Sequence, residues 1–231
     1  MAHSKEGNPG STAVIIAEKD LRTEFRRFYE IISIIAFAAG SMLIAGLVAQ
    51  ATSGGIPGMP AIVLWITLFF VTILIFTTSF SREADRGTLG GLKTLPCGSI
   101  AILAGKVISG STLVLGTALV LVPFAILFLG LNPAGGLAAF LAVYLLGAAG
   151  LSFAGSFVSG LVIFSEEKTM LISFLLLPVC IPVLVPSVVA SEKIIRGADL
   201  AGVLPEVELQ CAFLLLIAAI MILTFGFVLE E

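Results

Sequence analysis

The sequence predicts an all-α integral membrane protein, with six transmembrane helices preceded by an amphipathic interfacial helix and with both termini in the cytoplasm. Three observations carry this reading. Apolar residues make up 58% of the 231 residues, charged residues 12%, and mean hydropathy is +1.16, more apolar surface than a soluble domain of this size can bury. No Asp, Glu, Lys, Arg or His falls within 31–80, 107–165, 169–191 or 209–229, and Gly, Pro and charged residues punctuate those stretches into six runs of membrane-spanning length. Ten of the twelve Lys and Arg residues fall before the first span, within 81–106 from the loop into the start of the third span, or between the fourth and fifth, which places those segments and both termini on the positive, cytoplasmic side.

Residues 1–12 are polar, rich in Gly, Ser, Asn and Pro, and are expected to be disordered. Apolar residues then recur with a helical period at Val14, Ala17, Leu21, Phe25, Phe28 and Tyr29, while Lys19, Arg22, Arg26 and Arg27 fill the other side. This predicts an amphipathic helix over 13–30, lying in the membrane interface with its basic residues toward lipid headgroups. A helix packed on a protein partner is the alternative.

The six-span region covers 31–231, with spans expected at 31–52, 61–80, 100–131, 137–164, 170–190 and 209–229. The third apolar run is too long for a hydrocarbon core of about 30 Å. It must protrude, tilt or break near Pro123. Residues 191–208 are polar enough to leave the core, although Ile194, Ile195, Leu200, Val203 and Leu204 would keep them near the surface.

The spans exclude several kinds of chemistry. Proton relays, ion-coupled transport and voltage sensing need ionisable groups inside the membrane, and 31–80, 107–165, 169–191 and 209–229 hold no Asp, Glu, Lys, Arg or His. The sole histidine, His3, lies in the polar tail, and Cys97, Cys180 and Cys211 form no CxxC, so no metal site is expected and no catalytic residue is indicated. The phosphate-binding pattern GxxxxGK[ST] is absent, so energy for any transport must come from another subunit. No nucleic-acid partner is indicated.

Two spans are unusual. In the fourth, Ala148, Ser152, Ser156 and Gly160 form a ridge of small residues at every fourth position, suited to close helix packing within the chain or across a dimer. In the fifth, Pro178, Pro182 and Pro186 recur at the same spacing, each removing a backbone donor. The readings are a hinge or pathway-lining helix, or a kink used for packing.

The stretch 81–99 is the long polar interruption between apolar segments. Glu83, Asp85 and Arg86 lead to Gly87 and Thr88, a helix N-cap candidate. Leu89, Leu92 and Leu95 then share one side of a short helix closed by Pro96. Such an element suits docking onto a soluble partner; an interfacial loop with leucines dipping into lipid is the alternative.

Three blocks resemble a known family: EKDLRTEFRRFYE (Glu18 to Glu30); SFSREADRGTLGGLKTLP (Ser79 to Pro96) with IAILAGK (Ile100 to Lys106); and LLLPVCIPVLVPS (Leu175 to Ser187) with ASEKII (Ala190 to Ile195). Together they resemble the haem exporter protein B (CcmB) family of cytochrome c maturation, six-span permeases related to the ABC-2 exporters. The resemblance covers most of the chain from about residue 18. It implies an ABC-2-type permease dimer on a pair of ATPase subunits that bind ATP and Mg, with Glu83 to Pro96 as the coupling region. It also implies haem-handling membrane subunits as partners and a role in delivering haem, the candidate cargo, or in releasing its carrier complex, with no cofactor bound by this chain itself. A generic ABC-2 exporter of lipid, drug or polysaccharide shares this fold and loop, and a non-transporting membrane scaffold is the reading from another class.

Overall fold

The computed structural model describes residues 9–26, 28–51, 58–85, 99–162 and 168–228. Its regular structure is helical: α1 (Pro9–Phe25), α2 (Phe28–Ala51), α3 (Met59–Asp85), α4 (Ser99–Leu129), α5 (Leu137–Leu161), α6 (Lys168–Ile195), a 3-10 turn (Ala201–Val203) and α7 (Leu204–Val228). Six of these, α2 to α7, are long and apolar enough to cross a membrane, as expected of a multi-pass membrane protein.

The bundle is built around α3 and α5. About half of the spanning window of each is buried (56% and 50%), against 17% for α2 and for α7, which form the periphery. The largest buried side chains on α3 and α5 are Trp65, Leu64, Leu68, Phe140, Tyr144 and Leu151. Helix α5 supplies little bulk over its second half, where Gly, Ala and Ser dominate. Its neighbours move in to fill the space. A Cβ on Gly155 would overlap the ring of Phe76, and one on Gly147 would overlap Trp65 and lie 2.5 Å from the Ser187 hydroxyl. These glycines set how closely α3 and α6 approach α5.

Two sets of contacts define the ends of the bundle. At one end α1 packs along the start of α4. At the other, Gly58 sits against Glu192, and the Gly135 N–H donates to the Ile194 carbonyl at 2.9 Å. The first is called here the α1 end and the second the opposite end.

The helices outrun the expected spans at several points, each for a local reason. Helix α1 starts at Pro9, inside the tail expected to be disordered, because proline suits the first helical position, where its missing N–H has no partner to lose. It ends at Phe25, and α2 begins at Phe28, so the expected single helix over 13–30 is divided where the chain turns into the bundle. Helix α3 continues to Asp85, past the expected end at Phe80. Helix α4 runs unbroken through Pro123 for 31 residues. That is about 46 Å, so some 16 Å lies beyond the hydrocarbon core if the helix stands upright.

The expected polar excursion over 191–208 is instead a compact turn between two longer helices. Helix α6 runs on past Ala190 to Ile195, and α7 begins at Leu204 rather than Leu209. A Schellman closure ends α6: Gly197 takes a left-handed φ of 104°, its N–H bonds the Ile194 carbonyl at 3.0 Å, and the Ala198 N–H bonds the Lys193 carbonyl at 2.9 Å. The charges that made the segment look like a loop ride on the helix ends, where Lys193 pairs with Glu206 at 2.7 Å.

Two glycines test this packing. Gly155→Ala should destabilise the protein by about 1–3 kcal/mol through overpacking, despite a helix-propensity gain of up to about 1 kcal/mol. Gly116→Ala, where an added Cβ meets nothing within 4 Å, should be neutral or stabilising. Thermal unfolding of the detergent-solubilised protein reads both, and equal effects at the two positions would refute the close-approach account.

Candidate functional site

At the α1 end, the sides of α1 follow from its 100° step per residue. Ala13 and Ala17 are buried, with Ile16, Asp20 and Glu24 on the same side, toward the bundle. Gly105 on α4 makes room for them, since a Cβ there would lie 2.8 Å from the Ile16 Cβ and 2.9 Å from the Ala13 carbonyl oxygen. Val14 and Phe25 are exposed, with Leu21 between them on a second side. Lys19, Arg22 and Arg26 are exposed along the third. The single apolar face expected from the sequence is therefore divided: Ala17 turns inward to protein, and Val14, Phe25 and Tyr29 face outward. Arg22 pairs with Glu18, and Lys19 with Asp20 at 3.2 Å.

Beneath α1, Asp20, Glu24, Lys106, Ser109 and Gly110 line a cavity of about 20 Å³, and Glu24, Glu30 and Thr78 share another of about 30 Å³. The sequence reading had no role for these polar residues. Their signal was a row of carboxylates, Asp20 and Glu24, spaced at four on the helix side opposite the arginines.

Of the expected coupling residues, Glu83 and Asp85 fall in the last turn of α3, and their side chains lie outside the described part of the structure. Arg86, Gly87, Thr88, Leu89, Leu92, Leu95 and Pro96 lie outside the described residues altogether, as does Arg27. The structure does fix the two points from which residues 86–98 are held, the end of α3 at Asp85 and the start of α4 at Ser99. Helix α1 rests on the second of these supports.

In the middle of the bundle, the ridge of Ala148, Ser152, Ser156 and Gly160 is buried within the single chain. It faces α4: Ser152 Oγ lies 2.9 Å from Ser111 Oγ, and a Cβ on Gly110 would lie 3.3 Å from Ser156 Oγ. The three prolines do not share one environment. Pro178 is exposed, Pro182 half-buried and Pro186 buried, because a four-residue step advances 40° beyond a full turn. Helix α6 is continuous through all three.

At the opposite end, four helices meet in a buried polar knot that the sequence reading did not assign. The Trp65 indole N–H donates to Ser191 Oγ at 2.9 Å, tying α3 to α6. The Gln210 side-chain amide donates to Ser187 Oγ at 2.7 Å, tying α7 to α6, and the same hydroxyl donates to the Val183 carbonyl at 2.6 Å. Tyr144 of α5 packs edge-on against Trp65, with ring centroids 5.2 Å apart, and stacks on Phe140 at 5.7 Å. A buried N–H is costly unless bonded, so each donor fixes the register of two helices. Two signals pointed here: Ser187 and Ser191 stand one turn apart on α6, and Gln210 is the one amide in the last apolar run. Above the knot, Lys193–Glu206 and Arg196–Glu192 ion pairs close the rim.

Among the described residues, no cluster of His, Cys, Asp or Glu gathers at metal-binding distance. The knot offers hydroxyls, an amide and an indole, which tie the helices together through hydrogen bonds. Trp65 is the only tryptophan and is fully buried, so it reports on the knot directly. Its emission should resist quenching by acrylamide. Ser191→Ala should shift that emission to the blue and cost about 1 kcal/mol of stability, by stranding the indole N–H. Strong quenching in the wild type would disprove the buried knot.

No curated protein matches the chain significantly. Residues 11–229, nearly its whole length, match the family described as CcmB protein, and the six spanning helices run within that match. The chain therefore belongs to the CcmB protein family.

Proposed function

We propose that this chain is the membrane permease subunit of an ABC transporter of the haem-exporter type, serving c-type cytochrome maturation. Family membership across residues 11–229 is the observation that carries the reading. The six-span architecture agrees with it, as does the lack of a nucleotide-binding pattern in the sequence. The ATP and Mg would sit on a separate ATPase subunit. A pair of these permeases would dock on a pair of ATPases, beside haem-handling membrane subunits.

The segregation of Lys and Arg supports an orientation with both termini and the α1 end in the cytoplasm. In that orientation, residues 81–99 face the ATPase. Closure of the ATPase would push the segment held between Asp85 and Ser99, and the motion would enter the bundle through α3 and α4. Helix α4 is long enough to act as a rigid lever, with α1 packed along its outer part. The spans contain no histidine, and the sole tryptophan is buried against Tyr144 rather than lining a path. This favours a division of labour in which partner subunits hold haem while this chain converts ATPase motion into a change of bundle shape.

Leu92→Asp should abolish co-purification of the ATPase while leaving membrane insertion unchanged. Retained co-purification at wild-type level would remove Leu92 from the docking surface.

A haem-stained gel of membranes from cells lacking this chain should show covalently bound haem lost from c-type cytochromes while total haem persists. Restoration by a plasmid copy should accompany it. Unchanged c-type bands would end the maturation reading and leave an ABC-2-type permease for another cargo.

A further inference from the structure

Beside α1 runs an open groove of about 1010 Å³, lined by residues of α1 and by Ile108 of α4. Its two walls differ in chemistry. Val14, Leu21, Phe25 and Ile108 form an apolar side, and Val14, Phe25 and Ile108 remain 58%, 59% and 43% exposed. Lys19, Arg22 and Arg26 form the other side. Among the described residues Arg26 makes no ion pair, and the Arg22 pair with Glu18 is exposed on both sides. Such a pair contributes little and gives way to a better anion.

The position of the groove matters as much as its lining. Helix α1 runs the same way as α4, with Ala13 and Ile16 at Gly105 and Glu24 beside Gly110 and Leu113, so Arg22 and Arg26 stand close to the level of Ile108 and just before the spanning window of α2, which begins at Tyr29. A ligand filling this groove meets the arginines with an anionic group and Val14, Leu21, Phe25 and Ile108 with an apolar part. A free anion leaves the apolar wall bare, and a neutral lipid gives the guanidinium groups no net charge to meet.

We propose that the groove between α1 and α4 is a binding site for an anionic phospholipid, with its phosphate on Arg22 and Arg26 and an acyl chain along Val14, Leu21, Phe25 and Ile108. The planar guanidinium suits the phosphate oxygens, and two of them one turn apart on α1 flank a single headgroup. The bound lipid seats α1 against α4. Because α4 carries one support of the 86–98 segment, lipid composition acts on the position of that support. The binding proposal itself rests only on the groove and on the membrane-spanning character of the chain, and it stands or falls independently of the haem reading.

The test uses the full chain, alone, reconstituted in phosphatidylcholine bilayers with spin-labelled phosphatidylglycerol or spin-labelled phosphatidylcholine as the probe. The wild type should hold phosphatidylglycerol in the motionally restricted fraction several-fold more strongly than phosphatidylcholine, and high salt should reduce that preference. Arg22→Gln with Arg26→Gln should bring the preference close to one. Arg22→Lys with Arg26→Lys, which keeps the charge, should retain most of it and shows that loss in the glutamine variant is not loss of the fold. Lys193→Gln with Arg196→Gln at the opposite end should leave it unchanged. Equal affinity for the two lipids in the wild type, or full preference in the glutamine variant, would overturn the site. Competition by millimolar inorganic phosphate would overturn it too, by showing a site for a free anion. So would disappearance of the preference on assembly with partner subunits, which would assign the face to protein.

Discussion

Everything else in the bundle depends on the close approach of helices to the glycine-, alanine- and serine-rich half of α5. In water, burying large side chains drives helices together. In lipid that gain is absent, because acyl chains are as apolar as leucine, and association rests on contact and on interhelical hydrogen bonds. Helix α5 meets this constraint by being thin. Gly147 and Gly155 admit the Trp65 and Phe76 rings of α3, and Gly150 admits Val183 of α6. Interhelical hydrogen bonds in membranes average only about 0.6 kcal/mol. The Trp65–Ser191 and Gln210–Ser187 bonds therefore cannot hold the opposite end together unaided. They choose among registers of helices that packing already holds close, which is a role in specificity rather than strength.

The same balance explains what the sequence disclosed and what it did not. The six spans were plain, because an apolar run of twenty or more residues has few readings. The small-residue ridge was visible as a repeat, but its partner was not: Ser152 meets Ser111 from another helix, and only the fold decides whether such a ridge is used within a chain or between chains. Helices α6 and α7 extend beyond the expected spans, because hydropathy counts Glu192, Lys193 and Glu206 as reasons to leave the helix. A Lys193–Glu206 pair across a tight turn neutralises both charges and lets the helices continue. The polar knot was the least legible part. Trp65 and Ser191 are 126 residues apart, and neither carries a local pattern that calls for the other.

Helix α1 shows a subtler limit. A period of 3.6 distinguishes apolar from basic positions, but it has no means of separating an apolar residue that meets protein from one that meets lipid. The position of Gly105 settles it in the structure. Ala13 and Ile16 face α4 where the missing side chain of Gly105 makes room, and Ala17 is buried on the same side, whereas Val14 and Phe25 lie on another side of α1 and are exposed. A helix with one face for protein, one apolar face outward and a third of basic residues is suited to lie at a membrane surface beside a bundle.

Polarity is distributed differently at the two ends of the molecule. Asp, Glu, Lys, Arg and His are absent from 31–80, 107–165, 169–191 and 209–229, so the charged residues of the spanning helices sit near their ends, as Lys106, Glu192, Lys193 and Glu206 do. The opposite end is closed by a tight turn, two ion pairs and hydrogen bonds that link α3, α6 and α7, all within a short connection between helices. The α1 end is built differently: two long helices project toward a segment between Asp85 and Ser99, with α1 packed along one of them and small polar cavities beneath it. From there α4 runs into the bundle as a single unbroken helix and meets α5 at the Ser111–Ser152 contact. Of the two ends, it is the one away from α1 whose helix register is fixed by hydrogen bonds and an ion pair between helices.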